Sequence, residues 1–258
     1  AVGFIHGVMN TDNMAISGET IDYGPCAFMD AYHPNKVFSS IDHWGRYAYS
    51  KQPTIAHWNL SCFASCILTL INEDTDIAVK VATEKLNCFY EIYDRAWISN
   101  FGSKIGLKNH QKGDANLIQN LLDCMAVNKA DFSLTFRRLS DIPATKNLQN
   151  QTLDKPFTNL FKDPLAADNW LEKWRARLHL EVLDDTERQR IMRTSNPAYI
   201  PRNHRVEEVI VAALKQNLEP FENLLKILSS PFDDQPKNVN FQNAPQANEE
   251  IHETFCGT

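Results

Sequence analysis

Two short polar runs near the start of the sequence carry side chains suited to binding a metal ion and a nucleotide. The first run begins at His6 and ends with a carboxylate and a carboxamide at Asp12 and Asn13, and the second contains Asp22. Carboxylate and amide oxygens are hard ligands, so this set suits Mg²⁺ whose other ligands are phosphate oxygens. The same residue types are common in plain turns, so residue types alone leave a purely structural role open.

The spacing of these residues follows the catalytic-loop pattern of protein kinases, H-R-D-x-x-x-x-N, with D-F-G further on. His6 takes the place of the His, Asn13 that of the metal-binding Asn, and residues 22–24 (Asp-Tyr-Gly) that of D-F-G. Val8 stands where a kinase has its catalytic Asp. Because valine cannot accept a proton from a hydroxyl, this position does not support kinase-type phosphoryl transfer.

The sequence resembles the selenoprotein O (SelO) family over essentially its whole length. The resemblance is carried by HGVMNTDNM and ISGETIDYGP and by the segments that follow, CAFMDAY, PNKVFSSIDHWGRYAY and QPTIAHWNL. It continues in NPAYIPRNHRVEE and in the terminal TFCGT. Members of this family are pseudokinases that bind ATP in a flipped orientation. The resemblance therefore implies a protein adenylyltransferase that uses Mg²⁺ or Mn²⁺ with ATP and transfers AMP to Ser, Thr or Tyr hydroxyls of target proteins.

The resemblance also implies a role for each residue of the set. Asp22 is the main metal ligand and holds ATP through the metal, and Asn13 is the second metal ligand. Asp12 accepts the proton of the incoming hydroxyl, a role that Val8 cannot fill. A carboxylate beside a metal ion is a weak base, so positioning the hydroxyl is its larger expected contribution.

Three other interpretations stay open on the sequence alone. A true kinase with Asp12 as base would transfer the γ-phosphate of ATP instead of AMP. A non-catalytic pseudokinase would bind nucleotide or a partner as a switch, although a scaffold has no need for Asp12, Asn13 and Asp22 together. The motif also begins only a few residues after Ala1, whereas in kinases it follows the whole N-lobe. We therefore expect the C-terminal half of a longer protein, and an inert fragment is the third interpretation.

Six cysteines stand at positions 26, 62, 66, 88, 124 and 256, without C-x-x-C spacing. Free Cys packs as a small apolar residue, so the thiols at 62, 66, 88 and 124 are expected to be buried. Cys26 and Cys256 are expected to be exposed. Residue types favour two unrelated surface thiols, whereas the family resemblance implies a redox-sensitive pair that ties the end of the chain to the segment after residues 22–24.

The composition and charge of the chain limit the classes of partner that it is expected to bind. The 258 residues suit one or two domains, and 43% hydrophobic residues suffice for an ordinary core. The net charge of −6 comes with interspersed charges, so no basic footprint for a nucleic acid is present. Because no apolar run approaches the ~20 residues of a membrane span, we expect no membrane partner either. The resemblance implies a cytoplasmic protein in bacteria and a mitochondrial one in eukaryotes, and the terminal Cys-Gly-Thr favours a bacterial source.

The predicted fold class is α+β, mostly α. A short β-hairpin that turns at Gly18 is expected to carry the active-site loops, and a helical bundle follows, as in the C-lobe of a protein kinase. A loop-rich segment at 26–52 separates the hairpin from the helices. The predicted domains are a kinase-like C-lobe with helical additions at 1–228 and a partly ordered C-terminal tail at 229–258, which is rich in Pro, Asn and Gln.

Hydrophobic periodicity places the helices after residue 52. The first opens at Pro53 with a broad apolar face that includes Asn59, and a second runs over about 76–101 with a core-facing aromatic stripe and Gly102 as its cap. Asp114, Asp131 and Asp163 are expected to begin the next three helices. Shorter helices follow at 187–193, from 206 and at 221–228. Arginines 137, 138, 175 and 177 are expected to face solvent.

Overall fold

The computed structural model describes residues 1–20, 23–147 and 151–255. The chain divides into two compact units. The first, called here the loop unit, comprises Phe4–Ala27, Pro34–Trp97 and His252–Thr258. The second, called the helical unit, comprises Ala1–Gly3, Phe28–His33 and Ile98–Ile251.

Within the described ranges the protein is mostly helical with one small sheet, as the sequence predicts. The first part of the chain contains β1 (Phe4–Ile5), a 3₁₀ turn at Thr11–Asn13, β2 (Ala27–Phe28), a 3₁₀ turn at Tyr49–Lys51, α1 (Gln52–Cys66), α2 (Leu68–Ile71), α3 (Thr75–Asn87) and α4 (Phe89–Lys104). The rest contains α5 (Asp114–Asn128), α6 (Phe132–Leu139), a 3₁₀ turn at Gln151–Asp154, α7 (Lys155–Thr158), α8 (Pro164–Leu178), α9 (Asp185–Ser195), α10 (Asn203–Leu214), α11 (Glu219–Leu228) and a 3₁₀ segment at Pro236–Gln242. In the described part of the chain, every helix is too short or too polar to cross a membrane.

The predicted hairpin around Gly18 is wrong. The strand β1 pairs instead with β2, on the far side of the motif. The pairing follows burial, because Ile5 and Ala27 form a buried cluster with Phe38. Gly18 does lie in a turn, with φ of +76°. The residues around it are largely exposed, as Ile16 is, so a strand there would have no core to cover.

The helix predicted over 76–101 is two helices. Asp74 caps α3, because its carboxylate accepts hydrogen bonds from the backbone N–H groups of Asp76 at 2.9 Å and Ile77 at 3.2 Å. The chain turns at Cys88, and α4 then continues past Gly102. The prediction that Gly102 ends the helix is therefore wrong.

Several side chains predicted to be buried are accessible. Cys66 and Cys88 are exposed, and Cys62 and Cys124 are half-buried. On the aromatic stripe of α4, Tyr90 is exposed as well. Periodicity therefore predicted helical structure in this region, but it predicted neither the break at Cys88 nor how many sides of each helix are covered.

The core of the helical unit is aromatic. Phe132 and Phe136 on α6 pack against Phe101, with ring centroids between 5.2 and 6.5 Å apart. Trp170 and Trp174 on α8 are also buried, and each donates its indole N–H to a backbone carbonyl, at 2.9 and 2.8 Å. These hydrogen bonds remove the cost of burying the two polar ring atoms.

Two of the three predicted aspartate caps are confirmed. Asp131 accepts a hydrogen bond from the backbone N–H of Leu134 at 2.8 Å, and Asp163 accepts one from Leu165 at 3.0 Å. Asp114 is instead the first residue of α5, and its carboxylate takes part in an ion pair. Asp residues before an apolar run therefore marked helix starts to within one residue.

Most of the arginines predicted to face solvent lie inside the helical unit. Each reaches a carboxylate that is remote in sequence, and Arg137 also donates to three backbone carbonyls. The prediction was wrong because a long side chain can leave the solvent side of its helix and satisfy buried acceptors. The pairs are Arg137–Asp234 (2.6 Å), Arg175–Asp154 (2.6 Å) and Arg177–Asp114 (2.7 Å).

A buried ion cluster joins Arg202 to two aspartates. Arg202, 1% exposed, contacts Asp131 at 2.8 Å and Asp30 at 2.5 Å. Burial raises the pKa of the Asp30 carboxyl, and Arg202 opposes that rise. Asp131 therefore has two roles: its carboxylate caps α6 and also pairs with the guanidinium of Arg202.

Removing the cation should be costly. We expect Arg202→Ala to lower the free energy of unfolding by about 3–5 kcal/mol, because Asp131 and Asp30 would stay buried without their partner. The exposed pair of Arg190 with Glu187 is the matched control, and Arg190→Ala should cost no more than about 1 kcal/mol. Urea unfolding followed by circular dichroism measures both. An equal effect of the two substitutions would contradict the assigned role of Arg202.

Candidate functional site

The candidate site lies in the loop unit on the motif loop, defined here as residues 6–13. This loop follows β1 and ends in the 3₁₀ turn, where the backbone N–H of Asn13 donates to the carbonyl of Asn10 at 3.0 Å. Asp12 and Asn13 are therefore neighbours in one short turn. The side chain of Asp12 is exposed, and that of Asn13 is half-buried.

The amide of Asn13 has a fixed orientation. Its Nδ2 donates to the carbonyl oxygen of Val8 at 3.0 Å. Its Oδ1 accepts no hydrogen bond from the residues that the structure describes. Because the donor side of the amide points back into the loop, the acceptor oxygen remains available, and this arrangement fits a metal ligand.

Asn59 on α1 holds the middle of the motif loop. It is 5% exposed, and its Nδ2 donates to the carbonyl of Met9 at 3.0 Å and lies 2.6 Å from the Sδ of Met14. The apolar spacing of α1 predicted Asn59 only as part of an apolar face and gave no indication of this role. The available signal was a single amide in an otherwise apolar stripe, since a buried amide needs a partner.

Gln52, the first residue of α1, holds the beginning of the motif loop. Its Nε2 donates to the carbonyl of Phe4 at 3.1 Å, and its Oε1 accepts from the backbone N–H of His6 at 3.1 Å. One side-chain amide thus satisfies two backbone groups at the point where β1 ends. Sequence reasoning missed this residue as well, because a helix-start glutamine is not distinctive.

The motif loop passes close to the segment that follows residues 21–22. Gly7 has φ of +90°, and a Cβ there would lie 2.7 Å from the carbonyl oxygen of Pro25. Only glycine combines that backbone conformation with so close an approach. The loop that bears Asp12 and Asn13 is therefore packed against Pro25, three residues beyond Asp22 in the sequence. Asp22 itself lies outside the described residues, and its role as metal and ATP ligand stays a prediction.

The C-terminal tail reaches the same segment. The backbone N–H of Thr254 donates to Phe38 at 2.7 Å, and its carbonyl accepts from Ser40 at 3.0 Å. Its hydroxyl also donates to the carbonyl of Pro25 at 2.5 Å. Cys26, the next residue, is half-buried, and its thiol lies 3.4 Å from the carbonyl of residue 23. Cys256 lies outside the described residues, so its pairing with Cys26 stays a prediction.

A metal centre built from His, Cys, Asp and Glu alone is not found in residues 1–20, 23–147 and 151–255, where no three such side chains gather. The predicted ligand set is different, because it consists of the Asn13 amide and Asp22. Of this set, the structure describes Asn13, which has the orientation that a ligand needs. Asp12 lies next to it without a hydrogen-bond partner among the described residues.

Comparison with known proteins agrees with the motif. Residues 1–229 match the sequence model of the family described as "Protein adenylyltransferase SelO". The protein nucleotidyltransferase YdiU of Bradyrhizobium sp. strain ORS 278 is 50% identical over 258 residues, which are 100% of this chain and 51% of the relative. The proteins of the same name in Agrobacterium fabrum strain C58 and Rhizobium meliloti strain 1021 are 48% and 49% identical, over 100% of this chain and 52% of each relative. The chain thus spans about half the length of these relatives.

Substituting Asn59 should loosen the motif loop. We expect Asn59→Ala to speed amide hydrogen exchange in residues 8–14 and to cost about 1–3 kcal/mol of stability, because the carbonyl of Met9 loses its buried donor. Asn120 is an exposed asparagine on α5, so Asn120→Ala is the control and should change neither quantity. Hydrogen exchange followed by mass spectrometry measures the effect. Unchanged protection of residues 8–14 would show that Asn59 does not anchor the loop.

Proposed function

Because the chain belongs to the SelO protein adenylyltransferase family, we propose that it carries the metal- and nucleotide-binding residues of an enzyme that transfers AMP from ATP to proteins. The acceptors are Ser, Thr or Tyr hydroxyls, and the chain has the role of a kinase C-lobe. The observation that carries the proposal is the 3₁₀ turn of the motif loop. It contains Asp12 and Asn13 as consecutive residues whose carboxylate and amide oxygen have no partners among the described residues, while Asn59 fixes the backbone just before the turn.

In this proposal Asn13 and Asp22 hold Mg²⁺, which supplies positive charge to the phosphates of ATP. Asn13 is suited to the role because its amide nitrogen is engaged by Val8 and cannot rotate toward the metal without breaking that hydrogen bond. Asp22 follows the motif loop in sequence, and Pro25 packs against that loop at Gly7. The chain just after Asp22 therefore approaches the loop that carries Asn13, which supports a shared site for the two predicted ligands.

Asp12 acts on the protein hydroxyl. The hydroxyl oxygen attacks the α-phosphorus of ATP, the bond from that phosphorus to the oxygen bridging to the β-phosphate breaks, and pyrophosphate leaves. The hydroxyl proton passes to the Asp12 carboxylate. An exposed carboxylate at the end of a turn can meet a side chain of a second protein, which a buried one could not. Positioning the hydroxyl for this attack is the larger expected contribution of Asp12.

The proposal predicts which phosphate of ATP is transferred. With the protein at its full natural length, Mg²⁺ and ATP labelled at the α-phosphate, we expect protein-bound label that is lost in Asp22→Ala. Asp12→Asn should lower the rate by about 10²–10⁴-fold, the usual contribution of a positioned acid or base. The exposed Glu19 on the same segment is the matched control, and Glu19→Gln should keep the wild-type rate.

Repeating the assay with label at the γ-phosphate separates the alternatives. Label from the γ-position alone would mean a true kinase with Asp12 as base and would overturn the proposal. No label from either position, together with retained ATP binding, would mean a non-catalytic nucleotide-binding pseudokinase.

We also propose that Cys26 and Cys256 form a redox-sensitive pair. Two thiols join as a disulfide and pass two electrons and two protons to an oxidant such as a small-molecule disulfide. What supports this is the hydrogen bond from the Thr254 hydroxyl to Pro25, since these residues precede Cys256 by two positions and Cys26 by one. The bond would tie the tail to the segment that follows Asp22.

Thiol labelling tests the pair. After treatment with oxidised glutathione, we expect maleimide labelling of Cys26 and Cys256 to fall together and to return with dithiothreitol. In Cys256→Ser, oxidation should no longer protect Cys26 through this bond. The exposed Cys66 and Cys88 can form only mixed disulfides with glutathione in this scheme, and intact mass separates that addition from the loss of two hydrogens that marks the Cys26–Cys256 bond. Independent loss of the two labels would contradict the pairing.

A further inference from the structure

An exposed tryptophan marks a groove in the loop unit that the proposed chemistry does not use. Trp44 is 92% exposed, and Ile41 beside it is 69% exposed. Both line a cavity of about 530 Å³, which we call the Trp44 groove. Large apolar side chains grouped on a surface typically mark a binding site. The groove is lined chiefly by Ile41, Trp44, Arg46, Tyr47, Lys51 and Ile55.

The segment that bears Trp44 is built to hold this exposed conformation. The carboxylate of Asp42 accepts hydrogen bonds from the backbone N–H groups of Arg46 at 2.7 Å and Tyr47 at 2.8 Å. Gly45 completes the turn with φ of +63°, and its N–H donates to the carbonyl of Asp42 at 3.2 Å. The tryptophan is thus displayed by a fixed turn. Because the turn is already ordered before binding, a partner that binds Trp44 does not have to offset the entropy cost of ordering it.

The groove also carries positive charge without a matching anion. Neither Arg46 nor Lys51 forms an ion pair with any residue in the described ranges. The guanidinium of Arg46 lies 4.7 Å from the ring centre of Trp58, which fixes its position. Among the described residues, Asp42 is the one acidic residue that lines the groove, and its carboxylate already accepts two backbone N–H groups. In a chain of net charge −6, these two cations favour an acidic occupant.

The groove is connected to the motif loop. Tyr47 lines the groove, and its hydroxyl donates to the Oδ1 of Asn10. Asn10 immediately precedes the 3₁₀ turn that contains Asp12 and Asn13. A polypeptide in the groove would therefore lie beside the residues assigned to the transfer.

We propose that the Trp44 groove docks an acidic segment of the protein substrate. An apolar or aromatic side chain of that segment packs on Trp44 and Ile41, and its carboxylates pair with Arg46 and Lys51. Trp and Arg are the residue types that most often dominate binding energy at protein interfaces. This inference rests on the proposed function, because docking here would bring a hydroxyl of the same protein to Asp12.

Binding can be tested without nucleotide. The probe is a fluorescein-labelled random copolymer of glutamate and tyrosine, and its affinity for the 258-residue chain is read by fluorescence anisotropy. We expect Trp44→Ala and Arg46→Glu each to weaken binding about tenfold or more, and added salt to weaken the wild type. Leu214→Ala and Arg95→Glu change an exposed apolar and an exposed basic residue elsewhere and should leave the affinity unchanged. A lysine–tyrosine copolymer should not bind through the groove.

Two results would overturn the proposal. The first is copolymer binding that is insensitive to Trp44→Ala and Arg46→Glu. The second is self-association of the chain that disappears in Trp44→Ala when measured by sedimentation velocity, because the groove would then hold a second copy. Because Trp44 is exposed, Trp44→Ala should not disturb folding. Lys51→Glu offers a third variant of the groove, so a folding defect in one variant would not mask the outcome.

Transfer of α-label to the same copolymer separates this inference from the proposed function. If both hold, Trp44→Ala should raise KM about tenfold with little change in kcat, because docking lies outside the reacting groups. Binding that depends on Trp44 without any transfer would leave the groove assigned and overturn AMP transfer. Transfer with an unchanged KM in Trp44→Ala would leave AMP transfer intact and overturn the groove.

Discussion

The candidate site depends on the side-chain amides of α1 that hold an irregular loop in place. The motif loop has little regular backbone pairing of its own, yet it begins with the buried residues His6 and Gly7, and a buried backbone group without a partner is costly. Gln52 satisfies two backbone groups where β1 ends, and Asn59 satisfies the carbonyl of Met9. Because these amides lie about two helical turns apart on α1, one rigid helix sets the course of the whole loop. The outward presentation of Asp12 and Asn13 follows from this anchoring.

A second constraint brings other segments to the loop. Gly7 allows the chain to pass within contact of Pro25, and Thr254 bonds to the same proline from the C-terminal tail. Tyr47 adds a hydrogen bond from the segment of the Trp44 groove to Asn10. The segment after residue 22, the tail and the groove proposed for substrate thus meet around the short loop that bears Asp12 and Asn13. These segments are in direct contact with one another or with the motif loop. A structural change in one of them can therefore be passed through these contacts to the loop that bears Asp12 and Asn13.

Local rules of sequence predicted much of the helical structure. The apolar spacing after Pro53, the caps at Asp131 and Asp163 and the loop-rich segment before α1 all depend on neighbours in sequence, and they are confirmed. The strand pairing was wrong, since β1 finds its partner across the whole motif, and Gly18 signals only a turn. Arg137 and Asn59 show the same limit of prediction from local sequence. Whether a polar side chain is buried depends on acceptors supplied by distant segments, and a single sequence does not show which segments meet. Asp12 and Asn13 were recognisable because their spacing follows a known catalytic pattern, whereas their anchors follow none.

The proposed position of Asn13 next to a metal–nucleotide complex can be tested by paramagnetic broadening. The ¹⁵N-labelled protein is titrated with substoichiometric Mn²⁺ in the presence of ATP, and the side-chain NH₂ signals of its asparagines are followed. We expect the signals of the Asn13 side chain and of the Asp12 backbone N–H to broaden first, both effects to require ATP, and the signal of the exposed Asn120 to stay sharp. Broadening that spares Asn13 while ATP and Mn²⁺ bind elsewhere on the protein would show that Asn13 is not a ligand of the metal–nucleotide complex.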